Sequence, residues 1–229
     1  LRRHGQVHQQ AVDQKRMTKN YCAAPWRGLH IQVDGGISTC CAGGFKLGNI
    51  NHDTIESALA SDKLKAVRES IKRGELPDDY CGLCKHANAN HVGNEQDWHN
   101  SLNTDFDIDS AGTEYQYPVT FDARWNNTCN STCVYCGPMW SSKWASIKSV
   151  RDQKPNKDNK SKITDYFEKH GHKLKTVSMV GGEPLLMKEN ELLLESLPEH
   201  VSIDIITNLT SDVSNSRVFE KLMQRPKVN

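Results

Sequence analysis

The sequence predicts an α/β fold: a partial parallel (βα) barrel, preceded by a small α+β module made of a hairpin and a helix. Three observations carry that prediction. From about residue 113 onward, short apolar strands alternate with helical stretches, which implies parallel pairing through right-handed crossovers. Before that point, "GLHIQVDGGISTCC" alternates apolar and polar residues around an Asp34-Gly35-Gly36 turn, the pattern of an antiparallel hairpin. The 8 cysteines also divide the chain, with five between Cys22 and Cys84 and three between Cys129 and Cys136.

The elements follow in order. Residues 1–16 are mostly polar and precede Met17, so they read as an extension rather than part of the fold. The first block, 17–112, contains the hairpin: Leu29, Ile31 and Val33 alternate with polar residues, and Ile37 to Cys41 returns. Ser61 caps a helix with Leu64, Val67 and Ile71 on one face, and Gly74 ends it. "DDYCGLCKHANANH" reads as a tight turn leading into polar, irregular sequence, so His86, His91 and His99 are expected to be solvated.

The second block, 113–229, opens on a strand carrying Val119, Phe121 and Ala123, and Trp140, Trp144 and Ile147 mark the core-facing side of the next helix. "RDQKPNKDNKSK" reads as a solvated loop, since its basic residues have no interleaved aromatic platform for nucleic acid. A helix over 163–170 leads to the buried strand "LKTVSMV", which ends at Gly181-Gly182. A leucine-rich helix from Leu185 to Leu197 is stopped by Pro198, "VSIDIIT" is a third strand, and 215–224 a further helix.

Composition limits the partners. With 25% charged residues and a net charge of +1, nothing in the overall charge points to nucleic acid or a membrane surface. No apolar run approaches the ~20 residues of a membrane span, and the first residues lack the apolar segment of a secretory signal. The expectation is a cytoplasmic protein, where clustered cysteines serve metal sites more often than disulfides.

Cys129, Cys133 and Cys136 sit just past the C-terminal end of a predicted strand, where parallel α/β folds place their chemistry. Three thiolates can hold three corners of a cubic [4Fe–4S] cluster and leave one iron open to a non-protein ligand. A zinc knuckle borrowing a distant ligand, or three buried thiols, would also fit the loop alone. "MVGGEP" follows the next strand: its two glycines permit close approach of backbone to a ligand, and Glu183 begins a helix. Alone it could be an ordinary strand-to-helix turn.

Together, in this order, the two motifs resemble the radical SAM superfamily: Cys129-x3-Cys133-x2-Cys136 is its cluster motif, with Tyr135 in the aromatic position, and "GGEP" at 181–184 its SAM-binding motif. The resemblance implies that the open iron takes the amino and carboxylate groups of S-adenosylmethionine. It places Gly181, Gly182, Glu183 and Pro184 around the SAM ammonium, Tyr135 near the adenine, and Thr207 and Asn208 along the same site. It further implies reductive cleavage of SAM to methionine and a 5′-deoxyadenosyl radical, which takes hydrogen from a peptide or small-molecule substrate. The electron would come from a donor such as flavodoxin or ferredoxin. No residue is assigned as an acid, base or nucleophile.

The remaining cysteines run Cys22-x17-Cys40-x40-Cys81-x2-Cys84. A hairpin offering two thiols and a Cys-x-x-Cys segment offering two more make a four-ligand cage, and spacing alone favours structural zinc over iron–sulfur. Strand alternation should turn Cys41 away from Cys40, which leaves Cys40 as the ligand. "CAAPWRGLHIQVDGGISTCC…GNI…CGLC" resembles the twitch or reduced SPASM module of radical SAM enzymes, which implies instead an auxiliary [4Fe–4S] cluster closed by four cysteines. The competing readings are a zinc-binding interaction module and an electron-transfer iron–sulfur protein.

Overall fold

The computed structural model describes residues 21–150, 157–210 and 212–229. The expected extension at 1–16 and the first half of the charged loop lie outside the described residues. Helix α1 (Ala24–Arg27) takes Pro25 in its first turn, where a missing N–H costs nothing, and runs directly into strand β1 (Gly28–Ile31). Gly35, at φ +85°, turns the chain into β2 (Gly36–Ser38), and β3 (Gly48–Asn49) completes an antiparallel set. Thr54 and Ser57 form a reciprocal capping box on α2 (Ile55–Leu59). Helix α3 (Asp62–Lys72) has the expected signals: Ser61 Oγ accepts from Leu64 N, Leu64, Val67 and Ile71 are buried, and Gly74 at φ +82° ends it.

Two helices occupy the stretch read as a turn and irregular chain: α4 (Asp78–Ala89) and α5 (Glu95–Leu102). Then come β4 (Thr120–Ala123), α6 (Ser142–Ile147), α7 (Lys157–His170), β5 (Thr176–Met179), α8 (Lys188–Ser196), β6 (Ser202–Ile205) and α9 (Arg217–Met223). Residues 157–162, expected as loop, are the first turns of α7. The face expected to bury Trp140, Trp144 and Ile147 is not a core face, since Ile147 is 58% exposed, both tryptophans are only partly covered, and Ala145 is the buried residue of α6.

The two blocks share one six-stranded sheet of order β3-β2-β1-β4-β5-β6, antiparallel at the hairpin end and parallel across β1, β4, β5 and β6. The join is β1 to β4, with Leu29 opposite Phe121 and His30 opposite Asp122. Alternation then sorts the sheet's two faces. Leu29, Ile31, Phe121, Val177, Met179 and Ile203 are buried on one face, where Phe121 meets Phe167 of α7 at a ring distance of 4.5 Å. Each such aromatic contributes about 2–3 kcal/mol by leaving water. The other face carries a polar row in register, Ser38, His30, Asp122, Ser178 and Asp204. The C-terminal ends of β4, β5 and β6 lie side by side, so the segments leaving them converge.

Candidate metal and cofactor sites

Cys22, Cys40, Cys81 and Cys84 line one cavity, together with Tyr80, Glu95, Gln96 and His99. Helix geometry brings two of the thiols together, because Cys81 and Cys84 stand at i and i+3 on α4. A close approach brings the third. Gly44 N donates to Tyr80 O at 2.9 Å, and a Cβ on Gly44 would lie 2.0 Å from Asp79 O, so only glycine lets the loop after Cys40 lie against α4. Tyr80 locks the same loop, its hydroxyl accepting from Thr39 N at 3.0 Å. The fourth thiol is held by α5: Asn100 Oδ1 accepts from Ala23 N, and the Gln96 and Asn100 side-chain amides both donate to Tyr21 O, bracketing Cys22.

The electrostatics of this cavity are those of thiols that need a cation. Burial, then Cys81, drives Cys22 far above the ordinary thiol range, and burial followed by Cys22 does the same to Cys40. Burial and Cys84 push Cys81 up to about 12, and burial also raises Cys84. Each thiolate is penalised by the low dielectric and by its neighbours, a penalty that bound metal reverses. The donor set therefore fits a thiolate-ligated centre. Cys41 lies outside this lining, and its charge interactions are with Glu95, Asp122 and Arg124. Among the described residues, no three His, Cys, Asp or Glu side chains meet as ligands of a single ion.

His99 was expected to be solvated. It is instead 4% exposed, packed in the cavity wall, with no hydrogen-bond partner at Nδ1 among the described residues. His86 and His91 are exposed.

Cys129, Cys133 and Cys136 line a second, open cleft of about 390 Å³ with Arg124, Ser131, Tyr135, Trp140, Gly181, Gly182, Thr207 and Asn208. The cysteine loop is laced to α6: Cys129 N donates to Ser142 Oγ at 3.1 Å, Ser141 Oγ donates to Ser131 O at 2.7 Å, and Trp144 Nε1 donates to Cys133 O at 3.0 Å. Asn127 Nδ2 closes the loop on Pro138 O at 2.9 Å. Trp125 and Asn126, buried behind it, reach α8 through Asn190 and Glu189. Asn208 Nδ2 donates to Ser131 Oγ at 3.0 Å and lies 4.0 Å from Cys129 Sγ, which ties the end of β6 to the loop after β4.

The glycine turn works by close approach, as the sequence suggested, but toward the protein. Gly181 and Gly182 have φ of +82° and +52°, and a Cβ on Gly182 would stand 2.4 Å from Thr128 O. Glu183 and Pro184 do not line the cleft; both are buried behind it. The Glu183 carboxylate, expected to face a SAM ammonium, accepts instead from Leu185 N at 3.1 Å, Thr207 Oγ1 at 2.6 Å and Asn208 N at 2.8 Å. Those donors occupy most of a carboxylate's four acceptor positions. In this structure Glu183 braces the ends of β5 and β6 against each other. Tyr135 is 90% exposed on the rim, beside Val134 at 95%.

No helix among the described residues is long and apolar enough to cross a membrane. Residues 22–86, which contain all four cavity cysteines, match the family model of SPASM, an iron-sulfur cluster-binding domain. Comparison with curated proteins and with solved structures finds no match. Residues 22–86 are thus similar to an iron–sulfur cluster-binding domain of the kind typical of radical SAM enzymes.

Proposed function

We propose that the protein is a radical SAM enzyme with an N-terminal auxiliary cluster. The observation that carries this reading is one cleft, at the C-terminal ends of three adjacent parallel strands, gathering Cys129, Cys133 and Cys136 with Gly181, Gly182, Thr207 and Asn208. The three cysteines hold one [4Fe–4S] cluster, and Cys22, Cys40, Cys81 and Cys84 hold a second. The cleft cluster, when bound, supplies the electron that cleaves S-adenosylmethionine, leading to hydrogen abstraction from a peptide or small-molecule substrate.

The chain's own residues supply position and access. Gly181 and Gly182 leave the cleft floor free of side chains beside the cysteines. Glu183 fixes the Thr207–Asn208 backbone, so any contact those residues make with SAM is preorganised rather than formed on binding. Tyr135 stands exposed on the rim, its side chain hydrogen-bonded to Cys133, where it would border an adenine. The protein's partners are a low-potential donor of the flavodoxin or ferredoxin class, in a reducing cytoplasmic setting, and no nucleic acid or membrane.

Anaerobic reconstitution tests the reading. The expected result is about eight irons per chain, with charge-transfer absorbance and 5′-deoxyadenosine formed from SAM under a strong reductant. Stoichiometric zinc without iron would replace it with a structural zinc module. Iron without 5′-deoxyadenosine would leave an electron carrier.

A further inference from the structure

A partly buried ionic group lies between the two sites and has no role in the reading above. On β4, Asp122 Oδ2 lies 3.0 Å from Nδ1 of His30, its register partner on β1. The same carboxylate accepts from Arg124 Nε at 3.1 and 3.2 Å and from Arg124 Nη2 at 2.9 Å. Arg124 lines the three-cysteine cleft, its guanidinium 5.1 Å from the Trp140 ring, and a Cβ on Gly181 would touch its Cγ at 3.3 Å.

The opposite end leads to the four-cysteine cavity. Gly28 and His30 share one face of β1, and a Cβ on Gly28 would meet His99 Cε1 at 3.0 Å. His99 lines the cavity. The order from cleft to cavity is therefore Arg124, Asp122, His30, His99.

The surroundings act on Asp122, Arg124 and His99 in definite directions. Burial would raise the Asp122 pKa, but His30 and Arg124 outweigh it and hold the carboxyl below the usual range. Burial lowers the Arg124 pKa, and Asp122 more than restores it. Burial pushes His99 down to about 4, so it is neutral near pH 7. A cation thus faces the cleft, and an anion lies on the cavity side of it. Partly covered charges such as these are screened less by salt than fully exposed ones.

We propose that Asp122 and Arg124 form an oriented charge pair that separates the reduction potentials of the two centres. The positive end favours an added electron in the three-cysteine cleft. The negative end disfavours one in the four-cysteine cavity. One electron therefore passes from cavity to cleft: the cavity centre, first reduced by a low-potential one-electron donor protein, is oxidised by one electron as the cleft centre is reduced by one. Net charge near a cluster is among the levers that set its potential. Both residues are positioning residues, since neither touches the sulfurs in this structure. The inference rests on reading both sites as iron–sulfur centres.

The test is a potentiometric titration of the full chain, followed by electron paramagnetic resonance without SAM. The cavity signal is assigned in a variant with Cys129, Cys133 and Cys136 all changed to alanine. In the unaltered protein the cavity centre should titrate at the more negative potential. Asp122→Asn should move both centres upward. Arg124→Gln should move the cleft centre downward by more than the cavity centre. The Arg124→Gln change narrows the gap, and Arg124→Lys should restore most of it.

A merely structural role would lower iron content and leave the gap of the loaded fraction unchanged, which overturns the proposal. So would a cavity centre that titrates above the cleft centre. If Asp122→Asn fails to fold, the Arg124→Gln and Arg124→Lys pair carries the same test. Zinc in place of iron overturns the cluster reading and this inference together, whereas two clusters with an unmoved gap overturn this inference alone.

Discussion

The four-cysteine cavity and the three-cysteine cleft hold thiols in opposite ways. In the cavity, Cys22 and Cys84 are 7% and 8% exposed, and the walls come from a hairpin loop and two helices that meet over the thiols. In the cleft, all three cysteines are partly exposed on one loop, and the walls are the ends of parallel strands open to solvent. The first arrangement brings four thiols to one cavity, with Cys40 and Cys81 partly exposed. The second leaves room beside the cysteines for a further ligand. Four thiols in a narrow cavity and three in an open cleft are two different arrangements.

The sharpest way to break this comparison is to remove one set of thiols. Changing Cys129, Cys133 and Cys136 to alanine should abolish 5′-deoxyadenosine formation and remove about four of eight irons; iron analysis and a product assay on one sample check both. If the remaining iron were also lost, the two sites would be one assembly rather than two.

Next come the glycines that make each wall. Gly182→Ala puts a Cβ 2.4 Å from Thr128 O at a φ of +52°, and Gly44→Ala puts one 2.0 Å from Asp79 O. Each should destabilise its own region by about 1–3 kcal/mol. Iron loading in the cleft should suffer from the first and loading in the cavity from the second, read by the separate paramagnetic signals of the two centres.

An effect no larger should follow Glu183→Gln, which can keep the bonds from Leu185 N and Thr207 Oγ1 but faces Asn208 N with an amide donor. The cost should be about 1–3 kcal/mol, seen as weaker SAM binding by calorimetry with iron content intact. Unchanged SAM affinity would remove Glu183 from the cleft's construction.

The smallest difference should appear without metal. In chelator-treated protein, the cleft cysteines should react with a thiol reagent before Cys22 and Cys40, whose thiolate forms burial suppresses. Mass mapping of the first modified peptides checks the order.

Much of this contrast was legible in the sequence, for stated reasons. The Ser61 and Gly74 signals, the apolar spacing of α3 and the strand alternation are local, and local physics placed them. The convergence of Gly181–Gly182 on the cysteine loop followed from successive strand–helix units, while the place of Asn208 there was implied by the resemblance. What escaped was non-local or masked by composition. The Cys81–Cys84 segment was read as a turn, yet it is helical, at the roughly 1 kcal/mol a helix pays for Gly82. His99 looked solvated because its neighbours are polar, but Gln96 and Asn100 are polar in order to hold Tyr21 and Ala23.

Asp122, His30 and Arg124 carried no signal at all. Their meeting depends on β1 finding β4 across a separation of about 90 residues. The alternation Thr-Phe-Asp-Ala, Thr-Val-Ser-Met, Ser-Ile-Asp-Ile was the available clue to a polar sheet face, since each strand shows the same period of two.

The pairing of β1 with β4 has a consequence for how the protein is made. On the ribosome, the edge of Gly28–Ile31 that will receive Thr120–Ala123 waits, unpaired, for the intervening chain to be translated. At roughly 5–20 residues per second that interval is about 5–20 s. During it the hairpin offers bare backbone donors and acceptors to any passing strand. Iron delivered to the amino-terminal thiols in that window would meet a half-finished scaffold, so the timing of cofactor supply relative to translation bears directly on the yield of native molecules.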